Sequence, residues 1–436
     1  MGISRREWLM GTAALAGAAT LPRSSRGQAG TKGDAKHLIV VYAEGGWDVT
    51  FCLDPKLSCS GCSIEGPEVD ESPLEAEDRE AVQTFGQIPI VVNDLKRPAV
   101  RFFFDRWYER IHVINGIWTG SIAHDPCRYR LLTGTPVGTS PDAASIAGAT
   151  HGDTLPLGSV DLSGWGISGP LAASSGRIGA NSQIAALLDG GANFTAPAAS
   201  GLVYPLFRAS AGDDAAIDAF LQERADQLRE RFGDGSRNDS RIDDLLEANE
   251  RQQRFRGRAD EALKFLEVGT QASFHQQIDM AVDLIDAGVC QTVTLDTRDD
   301  WDTHEANAAQ HHHWDGLFVG LGRLMRALDE RGLLDTTVVA VLSEMTRTPL
   351  RNASTGKDHW GHTSAMLMGA VRGNAVSGGT DHLLESLPID LETGALFPGG
   401  ELNKYDNVVA GILELTGVDP EPWLPGSKPF RGAHAG

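Results

Sequence analysis

Positive charge is what this chain of 436 residues has least of: 38 lysines and arginines stand against 59 acidic residues, a formal net charge of −21. No basic surface would offset repulsion from a phosphate backbone, so nucleic-acid binding is excluded. Beyond residue 30 no apolar run approaches the ~20 residues of a membrane span, and no transmembrane segment is expected in the mature chain. Repeats and low-complexity tracts are also missing. The 50 glycines and 20 prolines follow no period, which reads as many ordered loops.

The first positive feature is the N-terminus. Ser4-Arg5-Arg6-Glu7-Trp8-Leu9-Met10 closely resembles a twin-arginine export signal, and the Gly- and Ala-rich run from Trp8 to Leu21 is too short to span a bilayer. This predicts a signal peptide over residues 1–29 and engagement with the twin-arginine export machinery. The mature protein, residues 30–436, is then periplasmic or extracellular. That route carries folded proteins, often around a metal or cofactor, so the remaining chain is read for a metal site. Cysteine is sparse: Cys52, Cys59, Cys62, Cys127 and Cys290. Cys59-Ser60-Gly61-Cys62 has redox or half-zinc-site spacing but no second pair. An exported location favours a structural disulfide among Cys52, Cys59 and Cys62, with Cys290 buried in an apolar strand.

Apolar runs at His37–Tyr42, Ile111–Ile114, Val289–Leu295 and Val338–Leu342 suit central parallel strands covered on both faces. The last two follow amphipathic helices, one carrying Phe274, Ile278, Val282 and Ile285, the other Trp314, Leu317, Leu321, Leu324 and Leu328. Alternation of this kind predicts an α/β fold with a doubly wound, mostly parallel sheet in a single domain. Residues 213–268 are charged and helical in pattern, with Ile217, Leu221, Ala225, Leu228 and Phe232 on one face. They read as a helical hairpin inserted into that domain, its charges a solvated face.

In open α/β sheets ligands bind beyond the carboxyl ends of the strands, and the polar clusters fall there. Asp48 follows the first strand, His124 and Asp125 the second, Asp302 and His304 the third, Ser343-Glu344 the fourth. Asp358-His359-Trp360-Gly361-His362 comes one loop later. Carboxylates neutralise charge while imidazoles favour a transition metal over calcium, so a divalent ion, zinc or manganese, is the expected cofactor. The run His311-His312-His313 lies at the start of a helix, where its members point apart, and is set aside.

The motif order resembles a large family of exported bacterial proteins catalogued as domain of unknown function 1501. The order is a buried strand then Gly45-Gly46-Trp47-Asp48, His124-Asp125 ahead of Leu131-Leu132-Thr133-Gly134, Trp301-Asp302-Thr303-His304, Ser343-Glu344 and a late Asp358-His359. That family is similar to a branch of the alkaline phosphatase and sulfatase superfamily, and the resemblance covers roughly residues 36–420, with a closing helix at Asn407–Leu415. It implies an alkaline phosphatase-like sheet and metal ligands at Asp48, His124, Asp302, His304, Glu344 and His362. Asp300 competes with Asp302 on spacing. At the position where a phosphatase carries a Ser or Thr nucleophile this chain has His124; Thr119 and Ser121 lie nearby. Asp125 or His359 would then serve as acid or base, and Arg128 or Arg347 would hold anionic oxygens.

Two functions follow as expectations. One is an exported metal-dependent hydrolase of a phosphate, sulfate or related ester, acting on a small anionic ester or envelope polymer. The other is a metal-stabilised, non-catalytic envelope binding or assembly protein of the same fold. A redox role for Cys59 and Cys62 is the third, weaker reading.

Overall fold

A computed structural model describes residues 36–57, 80–152, 155–177, 195–197, 203–205, 211–233, 238–239, 241–243, 245–246, 249–250 and 272–434. The segment expected to be an export signal, Cys59 and Cys62 lie outside these residues, while Cys52, Cys127 and Cys290 are buried free thiols.

In chain order the elements are β1 (His37–Tyr42), β2 (Ala81–Phe85), β3 (Ile88–Val92), α1 (Pro98–Trp107), β4 (Ile111–Trp118), α2 (His124–Thr133), α3 (Ala143–His151), β5 (Ser159–Asp161) and β6 (Ser175–Arg177). Then come β7 (Thr195–Pro197), β8 (Val203–Pro205), α4 (Ala211–Phe232), α5 (Phe274–Asp286), β9 (Thr292–Asp296) and α6 (Ala309–Glu330). The chain closes with β10 (Thr337–Leu342), β11 (Thr346–Arg347), β12 (His359–Trp360), β13 (His362–Gly369), β14 (Ala375–Gly378) and α7 (Tyr405–Leu415).

Eight strands form one sheet in the order β14-β4-β13-β10-β1-β9-β5-β6. Its pairings are parallel except the two that β13 makes with β10 and β4. The α/β class expected from strand and helix alternation is therefore the class observed. β1 shows why its apolar run is continuous. Ile39 and Val41 pack into one core, while Leu38, Val40 and Tyr42 pack into another on the opposite face. The first core carries the apolar stripes of α1, α5 and α6; the second carries α2, α3 and α7. On α6, Leu317, Leu321, Leu324 and Leu328 are fully buried, each stabilising the fold by about 1.5–3 kcal/mol relative to exposure. α5 begins at a capping box in which Ser273 and Gln276 satisfy each other's backbone N–H groups.

The parallel strands β1, β4, β9 and β10 all end at one rim. β13 runs the other way, so its start, at His362, lies at that same rim, where it pairs with Trp118 at the end of β4. The sequence reading treats Asp358–His362 as one loop; the structure makes His359-Trp360 a short strand and His362 the first residue of a buried one.

Candidate metal centre

Two close backbone approaches assemble the rim. The β1 turn passes through Gly45 at φ 116° and Gly46 at φ 89°, a region that favours glycine. A Cβ on Gly45 would sit 2.5 Å from the backbone nitrogen of Asp302, so the residue lets the loop after β9 lie directly on this turn. A Cβ on Gly356 would lie 1.9 Å from the carbonyl oxygen of His304, holding the segment before β12 against the same loop. Arg347 on β11 then ties the two together. Its buried guanidinium donates to the carbonyl oxygens of Gly45, Gly46, Trp301 and Lys357 and reaches Asp302 Oδ1 at 2.7 Å.

Around Asp302 three imidazoles converge. His359 Nε2 lies 3.0 Å and His304 Nε2 3.1 Å from Asp302 Oδ1, and these two nitrogens are 2.9 Å apart. His124 Nε2 faces Asp302 Oδ2 at 3.5 Å. The outer nitrogens decide where the protons are, because a carbonyl or carboxylate oxygen only accepts. His359 Nδ1 donates to the carbonyl of Ile122 at 2.8 Å, His304 Nδ1 to Asp358 Oδ1 at 3.0 Å, and His124 Nδ1 to Glu344 Oε1 at 2.8 Å. In the neutral rings each Nε2 therefore presents a lone pair toward a carboxylate. Burial keeps His359 on the neutral side, its pKa lowered despite the Asp302 carboxylate beside it. Although burial opposes it, the hydrogen bond from Arg347 and the Arg347 charge hold the Asp302 carboxyl at about 2.

Lone pairs facing one another at such distances repel unless a cation lies between them. This donor set fits a divalent transition metal: three imidazole nitrogens and one carboxylate, each imidazole oriented by an oxygen on its far side. His124, Asp302 and His359 can offer ligand atoms that all lie within 4.8 Å of one another, and so can Glu44, His124 and Glu344. Glu344 is fully buried and also accepts the Gly45 N–H at 2.9 Å. Burial first, and then the charge of Glu344, pushes the Glu44 carboxyl above the usual range. On the other side of this acidic edge, the hydrogen bond to Glu344 raises the pKa of His124.

Of the residues expected at the centre, the structure brings together His124, Asp302, His304, His359 and Glu344. Asp48 is elsewhere. Its fully buried carboxylate pairs with Lys357 Nζ at 2.8 Å and accepts from Asn307 at 2.8 Å and from the Thr50 hydroxyl at 2.7 Å, which leaves it structural work, not coordination. His362 makes its contact with Ser386, 2.7 Å from Nδ1, away from the cluster. Arg347 is fully buried among backbone carbonyls and positions Asp302, out of reach of a substrate anion. Asp125 is exposed and pairs with Arg128 at 2.5 Å, while Arg128 also stacks over Trp165. Asp300 is outside too, accepting the Asp302 backbone N–H at 3.1 Å. The Thr119 hydroxyl is committed to the carbonyls of Ser121 and Gly361.

Sequence reasoning missed Glu44, which stands two residues past β1, and Asp358, the acid that orients His304. The structure places His359, read from the sequence as an acid or base, beside Asp302. The available signal was the Gly45-Gly46 pair, which turns the chain so that Glu44, before it, faces the rim.

The fold is similar to several solved structures. A protein in the alkaline phosphatase superfamily from Vibrio parahaemolyticus is 9% identical, with 89% of this chain and 69% of that chain covered and a TM-score of 0.36. A sulfatase from Pseudoalteromonas sp. is 11% identical over 91% of this chain and 70% of its own, at a TM-score of 0.34. The lipoteichoic acid synthase from Listeria monocytogenes is 10% identical over 92% and 78%, also at 0.34. Likenesses this distant transfer no chemistry, and the site's chemistry rests on its own residues. No curated protein matches the chain in sequence. The family pattern described as "Protein of unknown function (DUF1501)" matches residues 35–388, and the chain belongs to that family.

Proposed function

We propose that this protein is an exported metal-dependent hydrolase of a phosphate, sulfate or related ester, with one zinc or manganese ion held by His124, Asp302, His304 and His359. The observation that carries this reading is the convergence of His304 and His359 Nε2 on Asp302 Oδ1, at 3.1 and 3.0 Å, while the Nδ1 of each ring faces an oxygen acceptor. Glu344, Asp358 and the Ile122 carbonyl fix the ring tautomers so that Nε2 faces inward. Bound there, the ion would polarise the ester and lower the pKa of a water. Glu44, whose affinity for a proton is raised by burial and by Glu344, is placed beside His124 to take a proton from the attacking water. Arg128 stands one helical turn after His124 on α2, and its exposed pairing with Asp125 is weak enough to yield to an anionic ester.

The second reading, a metal-stabilised envelope binding or assembly protein, is favoured by one observation. Among the described residues no serine or threonine hydroxyl bonds the side chains of His124, Asp302, His304 or His359, so a ready alkoxide nucleophile is missing. Elemental analysis of the purified protein, with a panel of 4-nitrophenyl phosphate, sulfate and phosphonate esters, separates the two. The hydrolase reading predicts turnover that Glu44→Gln abolishes while the metal stays bound. Bound metal with no turnover on any ester supports the second reading.

A further inference from the structure

Beside the metal cluster lies an open groove of about 340 Å3, lined by Trp118, Ile122, Trp360, His362 and Glu385 among others. It shares backbone with the centre. The Ile122 carbonyl orients His359, Trp360 follows His359 directly, and Thr119 N–H donates to Gly361 at 2.9 Å. The groove therefore begins one residue from a proposed metal ligand.

Its walls combine flat apolar surface with a few placed polar groups. Trp118 is 38% and Ile122 58% exposed. The Lys404 ammonium stands 5.5 Å from the Trp118 ring centroid. Trp360 is held by a hydrogen bond from its indole N–H to the Leu384 carbonyl at 3.3 Å. His362 Nδ1 accepts the Ser386 backbone N–H at 3.1 Å, so the neutral ring carries its proton on Nε2 and is a donor. Burial favours that neutral form. Glu385 supplies an exposed acceptor.

This pairing of indole surface with donors at His362 and Lys404 and an acceptor at Glu385 selects among ligands. An acyl chain would cover the indoles and leave His362 and Glu385 without partners. An anionic group would meet the Glu385 carboxylate. A sugar ring has a face of axial C–H bonds, which suits the electron-rich face of an indole, and an edge of hydroxyls that both donate and accept. We propose that the groove binds a neutral pyranose ring of a glycan. The further claim that this glycan carries the ester to be cleaved rests on the metal-centre reading.

The test titrates the full mature chain, EDTA-stripped and zinc-loaded, with cellohexaose, laminarihexaose, xylohexaose and chitohexaose, read by indole fluorescence and calorimetry. At least one should bind in both forms, and Trp118→Ala should weaken it by about tenfold, the size of a lost aromatic contact. Glu385→Gln should weaken it less, and zinc binding should be the same in both variants. No saccharide binding, binding indifferent to both substitutions, or binding of dodecanoate in place of the sugars would overturn the assignment. Saccharide binding in a protein that never takes up zinc would uphold the groove and sink the metal-centre reading.

Discussion

His304 and His359 differ from His362 in what holds their Nδ1. In the first two it donates, to Asp358 and to the Ile122 carbonyl, which leaves Nε2 bare toward Asp302. In His362 it accepts from the Ser386 N–H, which leaves Nε2 protonated and unable to coordinate. Two outcomes follow. Asp358→Asn should weaken metal binding by about 10–100-fold in a chelator-competition titration, as loss of an orienting carboxylate does. His362→Ala should leave that affinity unchanged. The buried Asp48–Lys357 pair makes a separate prediction, since removing one partner strands a charge. Lys357→Met should cost about 3–5 kcal/mol in urea unfolding, and Asp48→Asn with Lys357→Met should recover much of it. At this scale the sequence was partly legible. His124, Asp302, His304 and Glu344 are visible because each follows a strand end. Which of Glu44 and Asp48 turns to the rim is not, because Asp48's partners Asn307 and Lys357 are remote in the chain.

The strands carry their own signal. β1 and β10 are continuous apolar runs because both faces are covered, and the helices α5 and α6 show their stripes in full. β13 was hidden because it opens with His362-Thr363-Ser364, polar residues that bond to Trp47, Asn115 and Ser386, so its beginning reads as loop. Its antiparallel direction is also why a residue at a strand's start reaches a rim made of strand ends. Between elements, Gly45 lies directly against the Asp302 backbone. Gly45→Ala meets both a φ of 116° and a 2.5 Å contact. It should displace the Asp302 loop and abolish metal uptake in elemental analysis, while far-ultraviolet circular dichroism keeps its helical signal. Retained metal would show that the loop's position does not depend on this approach.

For the whole molecule, pH dependence has a defined sign. Burial pushes the pKa of His112, bonded to Ser377 and the Arg372 carbonyl, down to about 4, and that of His311 down to about 3. In the unfolded chain histidine titrates near ~6.5. Above that pH both states are neutral and the contribution is complete. As the pH falls from about 6.5 toward 4 the unfolded chain takes up protons that the folded chain refuses, so stability is lost. For His112 the loss is about 2 kcal/mol at pH 5, read as a lower urea midpoint than at pH 7.5. His112→Gln should flatten that slope.

The account turns on a cation shared by His124, Asp302, His304 and His359. The most direct measurement is elemental analysis of the natively purified protein beside His359→Ala, with a thermal melt of each before and after EDTA. One zinc or manganese per chain, a melting temperature lowered by chelation, and loss of both effects in His359→Ala are predicted. A wild-type protein that folds without metal and melts identically in EDTA would contradict it.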